Sequence, residues 1–132
     1  MLFRSTNLSP RPRRISVTGY VELVLGEWRH SNLMHVVTET DAFGGMLFAR
    51  NAYGGAAAGR VVAVDVSVPS RTATGNRTEF IGRNGTLADP EAMRRVKLSG
   101  RTGAGLDPCA AMQAYVDLDV GDRKSTRLNS SH

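Results

Sequence analysis

The sequence has a single cysteine, few aromatic residues and no apolar run long enough to cross a membrane. Because it is alone, Cys109 cannot close a disulfide within the chain, which fits a reducing compartment. Its two alanine neighbours favour a small buried residue over a nucleophile. A membrane-spanning helix needs about 18 or more consecutive apolar residues. These absences predict a cytoplasmic domain without membrane contact through this segment.

The two ends of the chain differ in character from the part between them. Residues 122–132 read DRKSTRLNSSH and match, codon for codon, the translation of a common sequencing adapter. Residues 1–5, MLFRS, match the opposite adapter end. Segments of this kind are set aside in reasoning about a fold. We therefore predict adapter-like segments at 1–5 and 122–132, and one partial domain at 6–121.

The positive net charge comes mostly from these ends. The chain has 17 Lys and Arg against 12 Asp and Glu, a net charge of +5. The ends hold four of those basic residues and one acid, so the middle keeps 13 basic and 11 acidic residues. Only Arg11–Arg14 remains as a dense basic run, and a nucleic-acid site needs a clustered basic face. The sequence therefore predicts no nucleic-acid partner.

Alternating apolar and polar residues predict β-strands along the middle of the chain. The predicted strands are 14–25, 33–39, 46–51, 59–69, 77–82 and 112–120. Residues 70–76 read as a polar loop, and Asp89–Pro90 predicts a short helix over the EAMRR that follows. Many short strands separated by turn residues indicate a mostly β fold, an antiparallel β-sandwich with one short helix.

Two of these strands carry specific expectations. Residues 59–69 place four valines on one face, which requires a large apolar surface to cover them. Gly19 falls on the apolar face of the first strand, which predicts a bulge or a close backbone approach.

Known chemical motifs are absent from the sequence. His30 and His35 fit no metal-binding pattern, and His35 is expected within a strand. The glycine-rich stretches 82–85 and 103–108 match neither phosphate-binding motif and read as turns. Six carboxylates are candidates for the acid or base of a glycosidase, but the spacing brings no two of them into one cleft. They are Glu22, Glu39, Asp41, Asp65, Glu79 and Asp107.

Five stretches together carry a resemblance to a known family. They are TNLSPRPRRISVTGYVELVLG, HVVTETD, LFARNAY, RTEFIGRNGTL and LSGRTGAGLDPCAAMQ. In this order they resemble the cyclic β-1,2-glucan synthase group, in the C-terminal part that is related to cellobiose and chitobiose phosphorylases. The resemblance runs along nearly all of residues 6–120 and implies a fragment of the β-supersandwich domain that precedes an (α/α)6 barrel.

The resemblance implies a function for the parent protein and leaves the fragment without catalytic residues. It implies inverting phosphorolysis of β-glucosidic bonds or control of glucan length, with the general acid on the missing barrel. Inorganic phosphate would be a co-substrate of the parent, and no cofactor or metal is expected. The expected partners are a β-glucan or oligosaccharide and the barrel itself. The parent is expected to be cytoplasmic or attached to the inner membrane.

Four residues are candidates for contacts with sugar on the side that faces the barrel. Arg50, Asn51, Arg83 and Asn84 lie beside turns and carry planar hydrogen-bonding groups that suit sugar hydroxyls. Turn or inter-domain hydrogen bonding is the alternative role for these residues. A stand-alone carbohydrate-binding module is the alternative for the chain, and such a module would close its own sheet edges.

Overall fold

The computed structural model describes residues 1–43, 45–53 and 58–131. In chain order its elements are β1 (Leu2–Thr6), β2 (Arg13–Glu22), α1 (Arg29–Asn32), a 3-10 turn (Leu33–His35), β3 (Val36–Thr40), β4 (Leu47–Asn51), β5 (Val61–Val66), β6 (Arg71–Asn76), α2 (Arg77–Ile81), a second 3-10 turn (Glu91–Arg94), β7 (Pro108–Leu118) and β8 (Arg123–Ser131). Within those ranges, no helix is long and apolar enough to span a bilayer. The sequence also predicts a turn at residues 44–45 and a glycine- and alanine-rich loop at 54–58. Residues 44 and 54–57 of these features lie outside the described residues, as does residue 132 of the adapter-like end.

The strands form two antiparallel sheets. One has five strands in the order β1-β8-β5-β4-β3, and the other has three in the order β2-β7-β6. The longest ladder joins β2 to β7, where Arg13 to Glu22 pair with Leu118 to Cys109 without a register shift. The prediction of a mostly β antiparallel sandwich is therefore confirmed.

The main core lies between the two sheets. Alternate residues of β7 point into it, and they meet valines and leucines from the five-stranded sheet. The buried members are Leu23, Val36, Leu47, Ala49, Val64, Val66, Ala73, Ala110, Met112 and Ala114. Val62 and Val68 pack against this core, so the valine-rich face predicted at 59–69 is covered by residues of this chain.

Gly19 is a site of close approach. A Cβ at this position would lie 2.5 Å from a methyl carbon of Leu128 on β8. Because the β2–β7 register is continuous, there is no bulge at Gly19. The close neighbour is a side chain of the opposite sheet, so neither the bulge nor the close backbone approach predicted for this glycine is found.

A second apolar cluster covers the outer face of the three-stranded sheet. It joins α2 and the segment after it to the residues of β7 that point away from the main core. Its buried members are Phe80, Ile81, Ala92, Leu98, Cys109 and Ala111. The ring of Tyr20 stacks on Phe80 with the ring centroids 4.6 Å apart.

Cys109 is predicted to be unreactive in the native protein. Its side chain is fully buried in the second cluster, and burial raises the pKa of the thiol to about 12. The reactive thiolate is therefore scarce at pH 8. We expect iodoacetamide to label Cys109 slowly in native protein and rapidly in urea, as read by mass spectrometry. Fast, complete labelling of native protein would contradict this burial.

The first part of the strand predicted at 33–39 adopts another structure. Leu33–His35 forms a 3-10 turn after α1, so the strand predicted at 33–39 begins only at Val36. The Nδ2 of Asn32 donates a hydrogen bond to the carbonyl of Trp28, which stabilises the helical turn before this segment. His35 therefore lies in the turn and not within a strand.

The region 70–82 has its elements in the reverse of the predicted order. Residues 71–76, expected as a loop, form β6, and Arg77–Ile81, expected as a strand, form α2. Asn76 caps this helix, since its Oδ1 accepts a hydrogen bond from the N–H of Thr78. An asparagine at this position stops a strand and starts a helix, because its side chain satisfies a free N–H of the first turn.

The remaining differences are smaller. The helix expected after Asp89–Pro90 is a single 3-10 turn, and Asp89 pairs with Arg94 in place of capping it. The strand predicted at 112–120 ends at Leu118, and Val120, which its alternation would place inward, is 57% exposed. Beyond that single 3-10 turn, the described residues contain three further helical elements, α1, α2 and the 3-10 turn at Leu33–His35.

Both ends of the chain form strands. Residues Leu2 to Thr6 of β1 pair with Arg127 to Arg123 of β8, and β8 also pairs with β5. Most residues of β8 are exposed; Thr126 is buried and Leu128 packs on the main core. These contacts do not bear on the adapter-like origin of 1–5 and 122–132, which stays a prediction.

Candidate functional site

An open cleft of about 470 Å³ lies between α2 and the segment that runs from residue 91 to residue 101. Every lining residue except Gly82 has a polar side chain, and these side chains carry amide, hydroxyl, carboxylate and guanidinium groups. The lining residues are Asn76, Thr78, Glu79, Gly82, Arg83, Glu91, Arg95, Ser99 and Arg101. A cleft of this size can hold a small ligand, and side chains of these types can form hydrogen bonds with its polar groups.

Glu79 anchors one wall of this cleft. Its side chain is only 8% exposed. Its carboxylate accepts hydrogen bonds from the hydroxyl of Thr74 at 2.7 Å and from the hydroxyl and N–H of Ser99 at 2.5 and 3.0 Å. The guanidinium of Arg95 lies 3.5 Å away. The carboxylate thus joins β6 and α2 to the opposite side of the cleft.

The surroundings of Glu79 keep it ionised. Burial by itself would raise the pKa of this carboxyl, but the hydrogen bonds from Ser99 and Thr74 outweigh burial and hold the pKa below its ordinary value. A carboxylate that already accepts three hydrogen bonds is poorly suited to donate a proton to a substrate.

Two cleft arginines are free to meet a ligand. Among the described residues, neither Arg83 nor Arg101 forms an ion pair, and both are exposed. By contrast, Arg95 pairs with Glu79, and Glu91 pairs with Arg94 outside the cleft lining. The cleft therefore presents two uncommitted guanidinium groups, which donate hydrogen bonds in a fixed planar geometry.

A second charged cluster lies at the start of α2. Arg77 contacts Glu22 at 2.9 Å and Asp107 at 3.5 Å, and Arg29 contacts the same two carboxylates. The hydroxyl of Tyr20 donates to Glu22. The hydrogen bond from Arg77 is the main reason that the pKa of Glu22 is lowered.

The cluster brings Glu22 and Asp107 together, which spacing in the sequence did not reveal. Of the other carboxylates considered as acids or bases, Glu39 pairs with Arg50 and Asp65 with Arg71. The remaining one, Asp41, accepts a hydrogen bond from the N–H of Phe43. These side chains thus serve ion pairs and turns, and the arginines beside them include Arg29, Arg77 and Arg95.

The four residues predicted to contact sugar do not share one site. Arg83 lines the cleft and Asn84 is exposed in the adjoining turn, where Gly85 donates to the carbonyl of Gly82. Arg50 lies on β4 beside a smaller cavity of about 150 Å³ that shares no residue with the cleft.

Asn51 is buried and its amide is used within the protein. Its Nδ2 donates to the carbonyl of Leu25 and to Asn32, and its Oδ1 accepts from the N–H of Tyr53. Its side chain therefore organises neighbouring loops. A direct sugar contact by Asn51 stays a prediction.

Sequence reasoning missed most of the cleft. Ser99, Arg95 and Arg101 were not selected as site residues, and they line one cleft with Glu79 because the 91–101 segment folds back over the sheet. One local signal was present: Asn76, with Glu79 three residues later, is the pattern of a helix start. That pattern would have placed Glu79 on a helix beside the turn at Gly82.

The described residues contain no group of three or more His, Cys, Asp or Glu side chains arranged to hold a metal ion. His35 instead stacks on Tyr53, with ring centroids 4.6 Å apart.

The two sheets and the polar cleft define the class of protein, an antiparallel β-sandwich domain with an open hydrogen-bonding site. Comparison with known families narrows this class. The model of the glycosyl hydrolase 94 supersandwich domain matches residues 2–128, and the chain therefore belongs to that family. The match includes β1 and most of β8.

A curated relative agrees with the family. The chain is 34% identical over 118 residues to the cyclic beta-(1,2)-glucan synthase NdvB of Rhizobium meliloti (strain 1021). The alignment covers 87% of this chain and 4% of that protein. The resemblance to the glucan synthase group is thus confirmed, and the chain corresponds to a small part of its relative.

Proposed function

We propose that this domain is a non-catalytic part of a β-glucan-acting enzyme and supports an active site carried by another domain. The observation that carries the proposal is that the carboxylate of Glu79 in the cleft is held in its ionised form by hydrogen-bond donors. An enzyme that cleaves glycosidic bonds needs a carboxyl with a raised pKa as general acid. Glu79 and Glu22 both have lowered pKa values and are held by hydrogen-bond donors.

The open edge of the three-stranded sheet supports a role within a larger protein. Strand β2 is ten residues long and, among the described residues, pairs only with β7. It has neither a proline nor a bulge, and between Arg14 and Glu22 it has no charged side chain. Natural proteins protect long edge strands of this kind, so a neighbouring domain is favoured over a stand-alone carbohydrate-binding module.

The name of the relative supports the substrate class. A cyclic β-(1,2)-glucan is a β-linked glucose polymer, and the hydroxyl-rich chain of such a polymer suits the polar cleft. Arg83 is the residue for which we propose direct contact, because its guanidinium is uncommitted. Asn84 would add a contact at the rim, whereas Arg50 and Asn51 would act elsewhere.

The parent protein would supply the chemistry. We propose that an (α/α)6 barrel joined to this domain holds the general acid and takes inorganic phosphate as co-substrate. The parent would work in the cytoplasm, either free or attached to the inner membrane. No cofactor, nucleic acid or membrane contact is proposed for the part described.

The cleft is tested by binding and turnover measurements on the whole chain. We expect β-1,2-linked gluco-oligosaccharides to bind weakly, and the change Arg83→Ala to reduce that affinity roughly tenfold. Isothermal titration calorimetry would measure the affinity, and Arg60→Ala is the matched control because Arg60 is exposed and does not line the cleft.

The same samples test the absence of catalysis. Incubation with oligosaccharide and inorganic phosphate should release no glucose 1-phosphate above the background of a heat-denatured sample. Release that disappears in Glu79→Gln would overturn the non-catalytic role, and equal binding by Arg83→Ala and wild type would remove the cleft from the proposal.

A further inference from the structure

The turn that follows α2 contains the one Asn–Gly pair of the sequence, Asn84–Gly85. The N–H of Gly85 donates to the carbonyl of Gly82, so Arg83 and Asn84 are the two central residues of a β-turn. Asn84 is exposed, and among the described residues its side chain takes part in no hydrogen bond. The side-chain amide of Asn84 is therefore open to solvent and free to rotate.

The fold itself requires glycine after Asn84. A Cβ at Gly85 would lie 1.9 Å from the carbonyl oxygen of Ile81, so no other residue fits here without a shift of the backbone. A glycine has no side chain to obstruct the approach of its own nitrogen to the residue before it. The packing that selects glycine thus also leaves the path from the nitrogen of Gly85 to the Cγ of Asn84 free of a side chain.

The nitrogen of Gly85 is held only weakly. Its hydrogen bond to the carbonyl of Gly82 is 3.3 Å long, which is beyond the usual range of about 2.7–3.2 Å for N–H···O bonds. Arg83, Asn84 and Gly85 are all exposed, so the turn lies at the surface. Solvent can therefore reach this nitrogen and remove its proton.

The other five asparagines lack this combination of features. Asn7, Asn51 and Asn76 are each no more than 8% exposed, and their side chains form hydrogen bonds within the protein. The side chain of Asn32 donates to a main-chain carbonyl, and Asn129 lies in the ladder between β5 and β8. Each of the five is followed by a residue that has a side chain.

We propose that Asn84 is a site of spontaneous deamidation and isomerisation. The nitrogen of Gly85, after losing its proton to solvent, attacks the Cγ of Asn84 and closes a succinimide ring. The bond between Cγ and Nδ2 breaks, and Nδ2 takes up a proton from solvent and leaves as ammonia. Water then opens the ring, at Cγ to give aspartate or at the main-chain carbonyl to give isoaspartate. The net reaction consumes one water and releases one ammonia.

Both products would change the rim of the cleft. Aspartate at position 84 puts a carboxylate next in sequence to Arg83, where it competes with a ligand for that uncommitted guanidinium. Isoaspartate adds a carbon to the main chain inside the turn, where the backbone of Gly85 already packs tightly against Ile81. The place of the reaction depends on the turn alone, whereas this consequence for binding rests on the proposed function.

Ageing of the whole chain tests the site. Native protein would be incubated in a mildly alkaline and in a mildly acidic buffer, and its peptides would then be mapped by chromatography and mass spectrometry. We expect the peptide that contains Asn84 to convert first and to give both products. Conversion should be faster at alkaline pH, because the attack requires the deprotonated nitrogen. The peptides that contain Asn7, Asn51 and Asn76 are internal controls and should stay unchanged over the same period.

Two variants connect the reaction to the cleft. Asn84→Ser has no amide to lose, so the same incubation should change neither its mass nor its affinity for a β-1,2-linked gluco-oligosaccharide. Converted wild-type protein should lose about tenfold in that affinity by calorimetry, as expected for Arg83→Ala. Asn84→Asp carries the charge without the longer backbone, so it separates the effect of the carboxylate from the effect of isomerisation.

Contrary results are defined in advance. Conversion of Asn84 only in urea-unfolded protein, or no faster than conversion of Asn7 in native protein, would overturn the proposal, because the turn would then protect the asparagine. Full conversion with unchanged affinity would support the modification site and overturn its effect on the cleft. If fresh protein binds no oligosaccharide, the proposed function fails, and the peptide map alone still decides whether Asn84 is modified.

Discussion

Replacing Glu79 with alanine is expected to lower the free energy of unfolding by about 1–3 kcal/mol, the usual cost of leaving a buried hydrogen-bonding group without its partner. The carboxylate accepts hydrogen bonds from Thr74 and Ser99, and it lies beside Arg95. Without it, the buried hydroxyl of Thr74 loses its nearest acceptor, whereas the exposed N–H of Ser99 can bond to water. Urea unfolding followed by circular dichroism measures the change.

Glu79→Gln is the matched control for this prediction. Glutamine keeps the shape and one acceptor oxygen, so it can still accept the N–H of Ser99, but it has no negative charge for Arg95. We expect it to lose clearly less stability than the alanine variant. Equal losses in the two variants would mean that the hydrogen bonds to the carboxylate contribute little.

The same network predicts how stability depends on pH. The pKa of Glu79 is lower in the folded state than its ordinary value, which is about 4.3. The folded state therefore favours the ionised form, and its stabilising effect is fully present above about pH 4.3 and is lost as pH falls through the lower, folded pKa. Wild type should lose stability on acidification more steeply than Glu79→Gln. Parallel curves would contradict this assignment.

The sequence predicted those parts of the fold that depend on local alternation. The valine face of β5 and the inward-facing residues of β7 have period two, and period two is enough to assign a strand and its buried side. At Gly19 the predicted close backbone approach was wrong, because the nearest atoms belong to a side chain. The partner of that glycine, Leu128, is more than a hundred residues away, and no local pattern identifies it.

Local alternation predicted the wrong secondary structure for residues 71–81. Residues 71–76 read as a polar loop, yet β7 pairs with them and Thr74 is fully buried. The next residues read as a strand because Phe80 and Ile81 are apolar, whereas the Asn76 cap turns them into one turn of helix. At β6 a contact with another part of the chain outweighs intrinsic preference, whereas at α2 a local cap does.

The candidate site was predictable only in fragments. Arg83 was selected as a planar donor beside a turn, and it lines the cleft. The opposite wall is formed by Ser99 and Arg101, and their place depends on the packing of Leu98 and Ala92 in the second apolar cluster. That packing is a tertiary property, so the cleft could not be assembled from spacing in the sequence.

The turn at Gly85 gives the second large prediction, because it leaves no room for a side chain. A Cβ at Gly85 would lie 1.9 Å from the carbonyl oxygen of Ile81, and backbone atoms cannot move aside as a flexible side chain can. Gly85 also donates its N–H to the carbonyl of Gly82. We expect Gly85→Ala to destabilise the domain by on the order of 3 kcal/mol, as overpacking does in a rigid place.

A second glycine separates this clash from the general cost of replacing a glycine. Gly105 has a φ of +71°, and a Cβ there would have no heavy atom within 4 Å, so Gly105→Ala should cost only the 1–2 kcal/mol, roughly, of a left-handed alanine. Because Arg83 and Asn84 lie in the turn that Gly85 closes, Gly85→Ala should also weaken oligosaccharide binding, while Gly105→Ala should not. Thermal unfolding and calorimetric titration of both variants make the comparison. Equal stability losses would mean that the turn relaxes freely, and the rigid placement of Arg83 at the cleft would then have no support.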